Sequence, residues 1–254
     1  MLRLQCISGC LVIPVPPRKR LKHVKHLYSC LAILVFFSPL AIPRLAAAQT
    51  APHWTTDSVL ALMDHSARGF HSLTAKIEHV KFTAVVNDTS KEIGDLYVRK
   101  DDKMRIDFTA PDQRTILRTG DSLFIYTPKI NRVEEYNLGK NRNLVDQYVL
   151  LGFGTRTAEV RKSYDVTLTG EDELDGKKVA LLELTPKSED VRKQITKIQM
   201  WIDEASWLPL QQKFFEATAG DYLLIHYTDL KEDLKFSENR FKQDWPKGAT
   251  RVKP

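Results

Sequence analysis

The alternation of apolar and polar residues that begins at Leu73 restricts the fold of this chain more than any other feature of its sequence. Met104, Ile106 and Phe108, for example, are separated by single polar residues, which is the pattern of a strand with one buried face. Turn sequences such as Asp175-Gly176 separate about eleven or twelve short strands of this kind. So large a sheet must curl or close to bury one face, so the sequence predicts a mainly β chain.

The alternation changes phase once within the first predicted strand. Its apolar residues occupy odd positions up to Ile77 and even positions from Val80 onward. An extra residue in one strand would shift the faces in this way. The sequence therefore predicts a β-bulge near His79.

Two segments depart from the strand pattern and predict helices. Between Trp54 and Phe70 the apolar residues recur at spacings of three and four, and Thr55 or Thr56 can cap the start. A second run with helical spacing extends from Leu138 to Phe153. Two helices are too few to cover the outside of such a sheet, so we expect them to cover its inside or its mouth.

The N-terminal segment has the order of a secretory signal peptide. Five basic residues between Arg18 and Lys25 precede an apolar run from Leu27 to Ile42, and small residues end at Ala48. The run is too short and too interrupted by proline for a retained anchor. Lipidation at Cys10 is disfavoured because the charges and the apolar run both follow that cysteine. We therefore expect cleavage after Ala48, with residues 1–48 as signal peptide and residues 49–254 as a single exported domain.

Removal of the signal peptide changes the charge and the cysteine content. The exported domain keeps 31 of the 38 basic residues and all 32 acidic residues, so its formal charge is close to zero. The positive excess that would attract nucleic acid belongs to the removed segment, and we expect no nucleic-acid partner. All three cysteines also lie before residue 49, which excludes a disulfide framework and a thiolate site in the domain.

The sequence does not favour an enzyme. It contains no Gly-x-Ser-x-Gly elbow, no phosphate-binding loop and no His-Glu-x-x-His helix. The five histidines of the exported domain lack the spacing of metal ligands; they are His53, His65, His71, His79 and His226. We therefore expect no catalytic residue, no metal and no cofactor.

Several segments resemble the outer-membrane lipoprotein carrier proteins of the LolA type. They include Gly94 to Lys100, Gly120 to Pro128 and Trp245 to Gly248, and the resemblance extends from about Thr55 to Val252. It implies an unclosed antiparallel β-barrel with a helical lid over an apolar cavity. It also implies a monomeric periplasmic chaperone that takes acylated lipoproteins from an inner-membrane ABC-type release complex to an outer-membrane receptor.

The resemblance also implies a basic residue that holds the lid. In the family this is an arginine followed by proline, whereas this chain has Lys100 followed by Asp101, with Arg99 one position earlier. Lys100 shares the strand face of Val98, and Arg99 points to the other face. Lys100 is therefore the first candidate for the latch, and Arg99 is the second.

The remaining candidate site residues are apolar side chains on the predicted inner face and on the lid. Either role, cavity lining or ordinary core packing, is open for each of them. The cavity candidates are Leu96, Val98, Met104, Ile106, Phe108, Ile116, Leu123 and Ile125, and the lid candidates are Val145, Tyr148 and Val149.

A regulatory binding module is the alternative function. Periplasmic lipid-sensing proteins of the RseB type are similar to the carriers in fold and control an anti-sigma factor. Such sensors carry a further C-terminal domain, for which this sequence leaves no room after Val252. We therefore expect the carrier rather than the sensor.

Overall fold

The computed structural model describes residues 53–139 and 151–253, which belong to a compact unit that spans Gln49–Pro254. The predicted signal peptide lies outside the described residues. The lid candidates Val145, Tyr148 and Val149 also lie outside them, as does most of the second predicted helix.

A single sheet forms the body of the described region. All neighbouring strands are antiparallel except the short last strand, which runs parallel to its neighbour. The strands are β1 (Ser72–Thr83), β2 (Asp88–Arg99), β3 (Lys103–Ala110), β4 (Arg114–Thr119), β5 (Ser122–Thr127), β6 (Arg132–Asn137), β7 (Tyr164–Leu174), β8 (Lys177–Pro186), β9 (Ile195–Asp203), β10 (Pro209–Glu216), β11 (Tyr222–Glu232) and β12 (Thr250–Val252).

The strand order is β12-β6-β5-β4-β3-β2-β1-β11-β10-β9-β8-β7. In the described part of the chain the two outermost strands, β12 and β7, are not paired with each other, so the sheet is not closed. The predicted fold class, a mainly β chain with an unclosed antiparallel sheet, is therefore confirmed. Pairing of β1 with β11 joins the strands before residue 138 to those after residue 163.

The first predicted helix is confirmed as α1 (Thr56–Gly69). Thr55 caps it through a reciprocal capping box with Ser58, which satisfies two backbone N–H groups at the helix start. A second helix, α2 (Thr157–Ser163), was not predicted, because seven residues give too short a periodic pattern. Shorter helical segments are α3 (Glu189–Arg192) and the 3-10 turns Ala84–Val86, Pro128–Ile130 and Glu238–Phe241.

Both helices pack on one face of the sheet, which we call the inner face. Val59, Leu60 and Met63 of α1 and Val160 of α2 form one core with the inner side chains of β7 to β10. A second core continues across β1 to β3 and includes Phe70, Leu73, Leu96, Met104 and Phe153. The first predicted helix, α1, thus covers the inside of the sheet, as expected. Whether the second predicted helix does so stays a prediction, because most of it lies outside the described residues.

The C-terminal segment covers part of the opposite, outer face. Phe236, Phe241 and Trp245 pack there against Leu117 of β4 and Phe124 of β5, with other apolar residues. The predicted strand from Asn239 to Gln243 is therefore wrong. These residues include part of a 3-10 turn, and the Phe241 ring packs on the outer face of the strands instead of extending the sheet.

The bulge predicted near His79 is also wrong. β1 pairs with β2 without interruption from Ser72 to Thr83. The register shift lies instead between β1 and β11, near Asp229, whose φ of 51° is left-handed. His79 therefore keeps the inner face of β1, and the apolar residue Phe82 lies on the outer face, where it stacks on Tyr222.

Candidate functional site

An apolar cavity of about 150 Å³ lies on the inner face, between the two halves of the sheet. Strand register builds one of its walls, because Leu96, Ile106 and Ile116 are directly opposite one another across β2, β3 and β4. Its apolar lining consists of Ile77, Leu96, Ile106, Phe108, Ile116, Phe214, Leu223, Ile225 and Tyr227.

A buried hydrogen-bond chain holds one side of the cavity in place. The Tyr227 hydroxyl donates to Gln212 Oε1 at 2.9 Å, and Gln212 Nε2 donates to the carbonyl oxygen of Leu151 at 2.6 Å. Burial raises the pKa of the Tyr227 phenol, so the group stays a neutral donor. Because these polar atoms are satisfied within the protein, this wall stays compatible with an apolar ligand.

Charged side chains mark one end of the cavity. Arg114 Nη2 donates to Glu92 Oε2 at 2.7 Å, and His79 Nδ1 lies 3.1 Å from the same oxygen. Burial is the largest cause that lowers the pKa of His79. These three residues face inward at about one quarter to one third exposure, so the polar end of the cavity is in contact with solvent.

A larger open cleft of about 400 Å³ lies near the opposite ends of β2 and β3. Val98 and Lys100 line it together with Glu159 and Lys162 of α2. The mixed charges make this cleft less suited to an acyl chain than the apolar cavity.

The two latch candidates have different environments. Both line the open cleft beside α2, where Lys100 has an exposed side chain. Arg99 forms ion pairs with Asp101 and Glu238, and its guanidinium lies 5.2 Å from the centre of the Phe241 ring. Arg99 is therefore also engaged with the C-terminal segment, and the choice between the two as the latch stays a prediction.

Half of the eight predicted cavity residues line the apolar cavity; they are Leu96, Ile106, Phe108 and Ile116. Val98 lines the open cleft, and Met104 is 1% exposed within the second core. Leu123 and Ile125 are opposite Arg118 and Ile116 on the same face, but they do not line the cavity. The residues that sequence reasoning missed lie mainly on β10 and β11 and include Phe214, Leu223 and Ile225. Consecutive apolar residues such as Leu223-Leu224-Ile225 do not alternate, so the sequence pattern did not show which of them face inward.

Other kinds of site are not supported by the described residues. Within residues 53–139 and 151–253, no group of three or more His, Cys, Asp or Glu side chains is arranged to hold a metal ion. In the same ranges, no helix has the length and apolar character needed to span a bilayer.

Comparisons with known sequences match part of the chain. The family model described as "-like: Uncharacterized protein" matches residues 100–242. Uncharacterized protein MJ0687 of Methanocaldococcus jannaschii is 26% identical over 139 residues, which are 54% of this chain and only 37% of that relative. The chain thus spans little more than a third of the curated relative that it matches.

Solved structures with little sequence identity resemble the chain as well. An uncharacterized conserved protein from Thermus thermophilus has a TM-score of 0.53 at 13% identity, over 78% of this chain and 98% of that one. The LolA superfamily protein NE2245 from Nitrosomonas europaea has a TM-score of 0.41 at 14% identity, over 75% and 99%. Because the family model matches more than half of the sequence, the chain belongs to the family described as "-like: Uncharacterized protein".

Proposed function

We propose that this protein binds the acyl chains of lipoproteins in the apolar cavity and carries them through the periplasm. The observation that carries the proposal is the cavity itself, which is lined by apolar side chains from β1 to β4 and from β10 and β11. Small-molecule sites are commonly concave, apolar and supplied with a few polar groups at one position. The cavity and its charged end have this composition.

The energetics of such binding are adequate without a covalent step. Each methylene that leaves water contributes about 0.8 kcal/mol. An apolar cavity of about 150 Å³ accepts a group about the size of benzene, so the cavity as it stands holds only part of an acyl chain. A longer chain must displace neighbouring side chains or extend into solvent, and both costs keep the binding reversible.

Export is part of the same proposal. Cleavage after Ala48 would release residues 49–254 into the periplasm as a monomeric carrier between an inner-membrane release complex of the ABC type and an outer-membrane receptor. Mass spectrometry of the protein from a periplasmic fraction should then give an N-terminus at Gln49. An intact N-terminus on protein from that fraction would contradict the processing step.

The direct test compares two forms of one lipoprotein, with and without its acyl chains. The acylated form should remain soluble and elute with the carrier from gel filtration as a one-to-one complex. The form without acyl chains should elute separately. If both forms bind equally, the protein recognises the polypeptide and the carrier proposal is wrong.

Lys100 remains the proposed latch, because it lines the cleft beside α2, whereas Arg99, which lines the same cleft, pairs with Asp101 and Glu238. Replacing Lys100 by Ala should loosen the cover of the inner face and raise the fluorescence of a hydrophobic dye with the empty protein. The exposed Lys129, which pairs with Asp112 at a hairpin tip, provides a control substitution to Ala. Equal dye fluorescence for the wild type and Lys100→Ala would exclude this role.

A further inference from the structure

The charged end of the apolar cavity has the chemistry of a headgroup site. Arg114 lies opposite Phe108 in the pairing of β3 with β4, and its guanidinium carbon lies 4.8 Å from the centre of that ring. Both side chains line the cavity. The ring therefore fixes the guanidinium at the boundary between the apolar lining and solvent.

The hydrogen-bonding capacity of Arg114 is only partly used. A guanidinium has five N–H donors, and within the described residues Arg114 makes one hydrogen bond, to Glu92. Its Nε is buried and has no hydrogen-bond partner there. A buried donor without an acceptor costs free energy, and an acceptor supplied by a ligand in the cavity would remove that cost.

The neighbouring charges leave this guanidinium available to an anion. Glu92 is shared between Arg114 and His79, so its carboxylate is already held in place by two partners. Lys81, which is close enough to His79 to lower its pKa, pairs with Glu216. The cluster is therefore balanced in charge, and an incoming anion meets no net negative field.

From this arrangement we propose that the cavity binds a single alkyl chain whose anionic headgroup, a carboxylate or a phosphate, is held by Arg114. The inference rests on the proposed function in that the same cavity takes an alkyl chain, and it goes beyond that function in the class of ligand. The acyl chains of a lipoprotein are ester- or amide-linked and carry no such headgroup, so an anionic lipid is a second class of ligand for the cavity. The planar fork of arginine matches both anions, and the chain extends from Arg114 past Phe108 toward Ile116. Glu92 acts as an internal competitor that keeps Arg114 ordered when the cavity is empty.

Calorimetric titration of the purified protein with octanoate, octyl phosphate and octanol tests this assignment, because the three probes share one chain length. At least one anion should bind about tenfold or more tightly than the alcohol, as expected for a charge-assisted hydrogen bond in a partly dry site. The anion that binds more tightly shows whether the site prefers a carboxylate or a phosphate headgroup. Arg114→Gln should remove the preference, because the anions then lose their charged partner.

Further variants separate recognition of the headgroup from folding. Arg114→Lys keeps the charge without the fork and should retain an intermediate preference. Glu92→Gln removes the competitor and should strengthen binding of the anion severalfold. Arg251→Gln changes an exposed arginine on β12 and should have no effect. Urea unfolding midpoints that match the wild type show that each variant is folded.

The ways in which these proposals can fail are distinguishable. Equal affinity for all three probes, or an anion preference that survives in Arg114→Gln, would overturn the headgroup site and leave the acyl-binding proposal standing. If none of the probes binds, the proposed function fails as well.

Discussion

Ile116→Trp should block the apolar cavity without unfolding the protein. Ile116 lies on the inner face of β4 and lines the cavity, and its neighbours across the strands are Ile106 and Ile125. The larger indole can occupy the existing volume of about 150 Å³, so overpacking should stay near the lower end of its usual range of about 1 to 3 kcal/mol. A ligand would then find its space filled.

The loss of binding follows from the methylenes that the indole excludes. If about four methylenes are kept in water, the loss is about 3 kcal/mol, which is more than a hundredfold in Kd. Titration with a fluorescent alkyl probe measures this loss, and urea unfolding measures stability. The control is Ile125→Trp, which places the same ring on the adjacent strand and the same face, at a position that does not line the cavity.

Two results would refute this reasoning. If Ile116→Trp binds the probe as tightly as the wild type, alkyl chains bind elsewhere. If Ile125→Trp weakens binding equally, the cavity is not the specific determinant on this face.

Three further predictions concern how the sheet is held together. Phe241→Ala should lower the free energy of unfolding in urea by about 3 to 5 kcal/mol, because the ring is 4% exposed on the outer face; an unchanged midpoint would contradict this packing role. Arg99 lowers the pKa of Asp101 from 3.8 to about 2. The ion pair between them therefore stabilises the folded state above about pH 4, and this stabilisation is lost as the pH falls toward 2. The stability difference between the wild type and Asp101→Asn should shrink over that interval, and a constant difference would argue against the pair. Gly94→Ala should destabilise the protein by about 1 to 3 kcal/mol, because its Cβ would lie 2.4 Å from a carbonyl oxygen of β3. Gly170→Ala should not destabilise the protein, because the added Cβ meets no atom within 4 Å. Equal unfolding midpoints for the two variants would refute the steric argument.

The sequence predicted those features that depend on neighbouring residues. Alternation identified Leu96, Ile106 and Ile116 as inward-facing, because side chains on a strand point to opposite faces in turn. The same rule separated Lys100 from Arg99. The spacing of apolar residues and a capping threonine located α1, because helix periodicity and helix caps are local properties.

Tertiary structure decided what each inward side chain faces. The pairing of β1 with β11 brings Ile77 close to Ile225, although almost 150 residues separate them in sequence. His79 faces inward in the folded sheet. The register shift lies in β11, whereas the sequence had predicted a bulge in β1. Local pattern specifies a face but not a partner, because strand pairing depends on many weak contacts summed over the whole sheet.

The charged end of the cavity shows the same division. In the sequence, nothing distinguishes Glu92 and Arg114 from the other polar residues of the predicted strands. The fold brings them within 2.7 Å of each other beside an apolar cavity, where burial gives their charges consequences that they would not have in water. The sequence thus determined which residues of β2 to β4 face inward. Only the packed sheet decided that some of them enclose a cavity with a cation at its end, because a cavity is set by distances between distant strands.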